Sequence, residues 1–204
     1  MHPLPAIAFG WQLLPEQVPT TGITQITLED EAYAAACGRR IKLLGRAIAQ
    51  ADGKVCAYVE PHFVGQQDPL AGVEDVFNAI LVKGDATGDV MFYGRGAGKL
   101  PTASAVVADV IAAARQLERA SYRPWSPNRP EAVVSPDTLA TQWYVRLAQG
   151  TLEGERLTIP GAAEGGERLA YPRHDPARAG AAAGRQSGAG RHPGVGLTVS
   201  PPGT

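Results

Sequence analysis

The chain has 204 residues, 44% of them hydrophobic, and a formal charge of -1, enough to bury one sizeable core and a small second module but hardly two full domains. The near-zero charge argues against nucleic acid as the main partner, because binding a phosphate backbone draws on a clear basic excess. Cys37 and Cys56 form no CxxC pair and the four histidines (His2, His62, His174, His192) show no metal-ligand spacing, so neither a structural zinc site, nor any other metal site, nor a disulfide scaffold is expected.

The N-terminus, Met1-His2-Pro3-Leu4-Pro5, lacks a basic leader, the apolar run after it is interrupted by Pro15, and no segment reaches membrane-spanning length. A cytoplasmic protein with no membrane partner is the expectation. Organised structure is expected from about Gly22 to Glu118. Thr27 followed by Asp30 reads as a capping-box N-terminus for a helix through Ala32, Tyr33 and Ala36, which Gly38 stops. Ile41 to Ala49 and Val55 to Val64 are β-rich runs joined by Asp52-Gly53, a strong hairpin signal, with Pro61 expected to interrupt the second run. A second antiparallel pair is expected from Asn78 to Val82 and Val90 to Tyr93 around the turn-rich Gly84 to Asp89.

The most informative stretch is Tyr93-Gly94-Arg95-Gly96-Ala97-Gly98-Lys99-Leu100-Pro101-Thr102-Ala103, a glycine-rich turn between a strand and an apolar-striped helix. Alternate glycines let backbone approach a ligand closely, and the helix N-terminus adds unpaired N–H groups and partial positive charge. Such a loop suits an anion, typically phosphate. Its spacing matches neither well-known phosphate signature, since Gly98-Lys99 is followed by Leu100. On the residues alone, a ligand loop and a tight turn with a helix cap both remain open. In the helix, Val106, Val107, Val110, Ile111, Ala114 and Leu117 form one stripe.

A proline-rich connector follows at Tyr122 to Pro136, and Trp143 to Leu147 alternates like an edge strand. From about Ala148 the chain is dominated by Gly, Ala, Arg, Pro and Glu with Tyr171 its only aromatic. Such a stretch cannot offset the entropy of ordering, so disorder is expected. The fold class is therefore α+β: a mostly antiparallel sheet of at least four strands, helices packed on one face, and a disordered C-terminal tail. Bland roles are expected for the other conspicuous residues: hairpin-turn chemistry for Asp85 and Asp89, a hydrogen-bonded structural group for His62, solvated positions for Lys42 and Lys99, and burial as small apolar groups for Cys37 and Cys56.

In order and near the family's spacing, these residues resemble the catalytic region of homoserine dehydrogenase. The pieces are Ala6-Ile7-Ala8-Phe9-Gly10, Gly22-Ile23-Thr24, Ile41-Lys42-Leu43-Leu44-Gly45, Pro69-Leu70-Ala71, Asn78-Ala79-Ile80, Gly84-Asp85, and Phe92-Tyr93-Gly94 through Pro101-Thr102-Ala103 to Asp109. The resemblance implies interconversion of L-homoserine and L-aspartate 4-semialdehyde with NADP or NAD, on the route to threonine, methionine and isoleucine. It implies that the glycine loop lies near the cofactor and the substrate cleft, with Gly96, Ala97, Gly98 and Thr102 as cofactor-binding residues. It also implies a homodimer through the sheet.

The departures from the family are equally specific. No Rossmann glycine fingerprint precedes Ala6. The family's lysine, the general acid or base, maps at or upstream of Met1, so no catalytic residue is assigned here. Thr21 stands where the family often has Glu. Gln142 to Leu147 looks like the first strand of a regulatory ACT domain, but Ala148-Gln149-Gly150-Thr151 does not continue it. The expected organisation is a catalytic and dimerisation region over 1–120, a linker and ACT-like strand over 121–147, and the tail over 148–204, in a chain truncated at both ends. Two functions follow: an oxidoreductase of this family in incomplete form, or an inactive dimerisation or interaction module derived from it.

Overall fold

Two 11-residue strands, β1 (Arg39–Ala49) and β2 (Val55–Gly65), form the longest ladder in the chain. The computed structural model describes residues 3–117, 126–139, 142–146, 155–156, 168–170 and 195–199. β1 and β2 are antiparallel, in register from Arg39 opposite Gly65 to Ala49 opposite Val55. The turn between them is held by backbone bonds from Gln50 N–H to the Lys54 carbonyl (2.8 Å) and from Gly53 N–H to the Gln50 carbonyl (3.0 Å). Gly53 has φ +81°, which explains why the Asp-Gly pair marks this turn.

Pro61 does not interrupt β2, contrary to the sequence-based expectation: it pairs with Leu43 inside the ladder. Two residues earlier, Val59 exchanges backbone bonds with Pro19 and Thr21 on the side away from β1. Pro61 shares that parity, so the N–H it lacks is not one that β1 requires.

The chain divides into two units, Met1–Gly65 with Pro124–Thr204, and Gln66–Arg123. In the first, β2 is bordered opposite β1 by short pieces in turn. β5 (Val133–Val134) runs parallel at Val55 and Cys56, Thr20 bridges Val59, and β9 (Val195–Val199) runs parallel at His62 and Phe63. β9 continues antiparallel to β6 (Gln142–Arg146), then to β8 (Arg168–Ala170) and β7 (Glu155–Arg156). Trp143 to Arg146 therefore lies in an interior strand rather than an edge. The expectation of disorder over 148–204 is corrected at β7, β8 and β9; the rest of that stretch lies outside the described residues.

Helix α1 (Pro3–Phe9) ends at Gly10, whose φ of +76° and N–H bond to the Ala6 carbonyl (2.9 Å) make a left-handed stop. Helix α2 (Leu28–Ala36) begins at the expected capping box, with Thr27 N–H donating to Asp30 Oδ2 (2.8 Å) and Asp30 N–H to Thr27 Oγ1 (3.4 Å). α2 packs Tyr33 and Ala34 against Phe63 of β2 and Tyr144 of β6. The Tyr144 ring lies 4.8 Å from Phe63 and 5.9 Å from Tyr33, and its hydroxyl donates to Asp30 Oδ1 at 2.9 Å. That hydroxyl keeps the fully buried Asp30 carboxylate hydrogen-bonded. A second cluster gathers Trp11 and Leu13 against Val55 and Ala57, with Val18 and Val133 beside them.

In the second unit, β3 (Phe77–Gly84) and β4 (Gly88–Arg95) form a separate two-stranded antiparallel sheet, followed by α3 (Lys99–Ala114). The expectation of one mostly antiparallel sheet is thus corrected: β1 and β2 belong to a seven-stranded sheet with parallel joints at β5 and β9, and β3 and β4 stand apart from it. The α3 stripe is exposed, Val106 at 57% and Val110 at 62%, so this helix does not cover a sheet face among the described residues. The architecture is α+β, with small antiparallel and mixed sheets and few helices.

Candidate functional site

The glycine loop is carried between a strand end and a helix start, both set by local chemistry. β3 and β4 pair Phe77 with Arg95, Asn78 with Gly94 and Ala79 with Tyr93. Side chains alternate across a strand, so Phe77, Tyr93 and Arg95 share one face. There the Phe77 and Tyr93 rings stack at 4.9 Å with 3° between planes, and the Arg95 guanidinium stands 5.0 Å over Phe77. This stack anchors the end of the hairpin at the point where the loop leaves it.

Asn78 lies on the opposite face with Gly94. Its side chain occupies the space over Gly96: a Cβ on Gly96 would meet Asn78 Cγ at 2.7 Å and Cβ at 3.2 Å. Gly98 is a glycine for another reason. Its φ of +113° is one that L side chains rarely adopt. It also caps α3 without a side-chain hydrogen bond, and the Thr102 N–H closes the first turn on the Gly98 carbonyl at 3.2 Å. Lys99 and Leu100 N–H precede that first intrahelical bond, and Pro101 has no N–H to satisfy.

The structure thus brings Gly96, Ala97, Gly98 and Thr102 together in one loop and helical turn. No acidic residue sits in the first turn of α3, leaving its partial positive charge unopposed there. The chemistry open to such an arrangement is to accept an anionic or hydrogen-bonding group at its free N–H groups. The two cationic side chains in the stretch are Arg95, which lies over Phe77, and Lys99 at the exposed first position of α3.

The remaining candidates fall elsewhere. Asp85 Oδ1 accepts from Ala86 N–H at 2.8 Å and Asp89 Oδ2 lies 3.8 Å from Lys83, so both serve the hairpin turn. Cys56 is buried, but Cys37 is exposed, contrary to expectation, because it follows the last turn of α2 on the solvent side. Lys42 is half-buried on β1, opposite His62.

His62 is fully buried in β2. Its Nδ1–H donates to the Glu60 carbonyl at 2.8 Å, Tyr58 stacks on it at 5.9 Å, and its Nε2 has no hydrogen-bond partner among the described residues, with Glu60 Oε1 at 3.9 Å. Burial pushes its pKa down to about 4, partly offset by the bond to Glu60, so the ring is neutral at pH 7. Burial likewise raises the Tyr58 hydroxyl and the Cys56 thiol above their usual ranges. Sequence reasoning identified the loop but missed the Phe77–Tyr93–Arg95 stack and the place of Asn78. The hairpin register, counted outward from Gly84 and Gly88, was the signal that pairs Asn78 with Gly94.

Residues 4–111 match the family model described as homoserine dehydrogenase. The chain belongs to the homoserine dehydrogenase family. It is 45% identical over 149 residues to homoserine dehydrogenase of Mycobacterium leprae and 36% identical over 149 residues to that of Bacillus subtilis, in each case 71% of this chain and 34% of the relative. Among solved structures, a homoserine dehydrogenase from Thiobacillus denitrificans superposes with a TM-score of 0.75 at 28% identity, covering 97% of this chain and 51% of that one. The S. aureus homoserine dehydrogenase at pH 6.0 gives a TM-score of 0.65 at 27% identity, covering 96% and 50%. The chain spans about a third of the length of these curated homoserine dehydrogenases and about half of the solved ones. Among the described residues no helix is long and apolar enough to cross a membrane, and no cluster of His, Cys, Asp and Glu could hold a metal ion.

Proposed function

We propose that this chain forms the substrate-side wall and the cofactor-facing loop of an NAD(P)-dependent homoserine dehydrogenase, interconverting L-homoserine and L-aspartate 4-semialdehyde in the supply of threonine, methionine and isoleucine. The observation that carries this is the extent of the family match, residues 4–111, which takes in the whole strand, glycine loop and most of α3. Gly96, Ala97, Gly98 and Thr102 hold the cofactor in this proposal. The loop fits that role: it offers backbone approach at two glycines, an N-terminal helical turn without a side-chain cap, and no carboxylate to repel phosphate. When bound, the nicotinamide supplies hydride transfer. The protein residues bind and orient, since a misplacement of about 1 Å in such a site costs on the order of a hundredfold in rate. By the family resemblance, the general acid or base is a lysine that maps at or upstream of Met1, and the NAD-or-NADP choice belongs to the family's Rossmann domain.

The organisation proposed is a catalytic and dimerisation region over 1–120, a linker with an ACT-like strand over 121–147, and a low-complexity C-terminal stretch over 148–204 whose strands β7, β8 and β9 join the sheet of the first unit, in a cytoplasmic homodimer. The exposed apolar stripe of α3 and the exposed Ile80, Val82, Val90 and Phe92 of the hairpin are faces that a further domain or subunit would cover. The test is cofactor reduction with L-homoserine, by the chain alone and mixed with the separately expressed nucleotide-binding half of a family member. Activity that appears only in the mixture is the expected result. No activity in either, with both pieces folded and bound to one another, would favour the inactive interaction module.

A further inference from the structure

We infer that Asn78 is the positioning residue of the glycine loop, interlocked with Gly96, and that the two glycines of Gly96-Ala97-Gly98 are required for different reasons. This rests on the loop's proposed role at the cofactor. Gly98 is excluded from L side chains by its own backbone, at φ +113°. Gly96 is not among the positive-φ residues, so its backbone admits an alanine. What excludes a side chain there is the Asn78 carboxamide, with Cγ 2.7 Å and Cβ 3.2 Å from where a Cβ would stand. Contact below 3 Å is one that real Cβ atoms essentially never make, so one partner must move.

The geometry makes Asn78 well suited to hold the loop. It sits at the second position of β3, directly opposite Gly94, at the last pair but one before the strands part. On the other face of that end, Phe77, Tyr93 and Arg95 are locked in a stack. Beyond its backbone pairing with Gly94 in the ladder, the Asn78 side chain makes no hydrogen bond among the described residues, so what that side chain contributes is the volume over Gly96. The loop is therefore clamped from one side by the ring stack, through Arg95, and from the other by the Asn78 side chain, through Gly96. Removing the amide leaves Gly96 free to move and the loop N–H groups no longer aimed together.

Complementary volume makes the interlock testable by rescue. Asn78→Ala empties the space, Gly96→Ala overfills it, and the double variant places an alanine Cβ in the space the amide vacates. The four forms of the full chain are compared by the amide resonances of Ala97, Gly98 and Thr102, and by titration with NADP+ and, separately, NAD+. Each single variant is expected to displace the Gly98 resonance and weaken cofactor binding about tenfold, with the double variant returning most of both losses. Additive losses in the double variant overturn the interlock. If the wild-type chain gives no cofactor-induced shifts, the loop's cofactor role in this chain fails, while the loop resonances still decide the interlock by the same comparison. Should Gly96→Ala fail to fold, Asn78→Leu, which keeps the volume without the amide, replaces it: wild-type loop resonances support packing by Asn78, and displaced ones refute it.

Discussion

Acidification tests the buried imidazole directly. His62 is fully buried, donates through Nδ1 to the Glu60 carbonyl, and presents an unpartnered Nε2. Its pKa falls from 6.5 to about 4 in the fold. At about 1.36 kcal/mol per pH unit, that difference corresponds to about 3 kcal/mol. The sign follows from proton uptake: between pH 6.5 and 4 the unfolded chain binds a proton that the folded chain refuses. The stability associated with a neutral His62 is therefore complete above about pH 6.5 and is lost as the pH falls through about 4. Glu60 Oε1, 3.9 Å from Nε2, is the group that would accept from a protonated ring and so reduce the loss, whereas Arg46 opposes protonation. His62→Asn keeps a donor near Nδ1 and removes the titration. Urea unfolding of both chains from pH 7.5 to 4 is the assay, with the other three histidines common to both. The wild type is expected to lose about 3 kcal/mol more than the variant across that range. Equal pH slopes, or an NMR titration placing His62 at or above 6.5, would refute the reasoning.

Three further outcomes follow from contacts within the first unit. Thr27→Ala removes the side-chain acceptor of Asp30 N–H (3.4 Å) and the hydroxyl that donates to Asp30 Oδ2 (2.8 Å), leaving the Thr27 carbonyl as the acceptor for that N–H; a loss of about 1 kcal/mol in urea unfolding is expected, and none would mean the box is not holding α2. Tyr144→Phe removes the hydroxyl that donates to the buried Asp30 Oδ1 at 2.9 Å; the expected cost is about 1–3 kcal/mol in urea unfolding, and an unchanged stability would mean the bond is not holding the core. A thiol reagent at pH 8 should label exposed Cys37 in the native chain and reach Cys56 only after unfolding, because Cys56 is buried with a raised pKa; mass spectrometry of the labelled peptides reads the result.

Much of the local structure was legible because short-range chemistry specifies it. Thr27 and Asp30 announce a helix start three residues apart, Asp52-Gly53 a reversal, and the Gly84 to Asp89 turn a hairpin whose register is then set by counting. The glycine loop was legible for the same reason, as was its family, since order and spacing are properties of the chain. What was not legible depends on partners distant in sequence. Pro61 is tolerated because the N–H it lacks lies on the side of β2 away from β1, the side on which Val59 bonds Pro19 and Thr21, and no window around Pro61 contains that fact.

By itself, then, the sequence determined where most helices and hairpins begin and end, that Gly94 to Thr102 is a glycine-rich connection from strand to helix, and that these pieces resemble the homoserine dehydrogenase family. Only the tertiary structure decided which strands share a sheet, that Tyr144 satisfies Asp30 from another element of the fold, that His62 is buried with one nitrogen unpaired, and that Asn78 stands over Gly96. The physical reason is range. Caps and turns are closed by residues a few positions apart, whereas burial, sheet membership and side-chain volume are settled by whichever residue the folded chain places alongside.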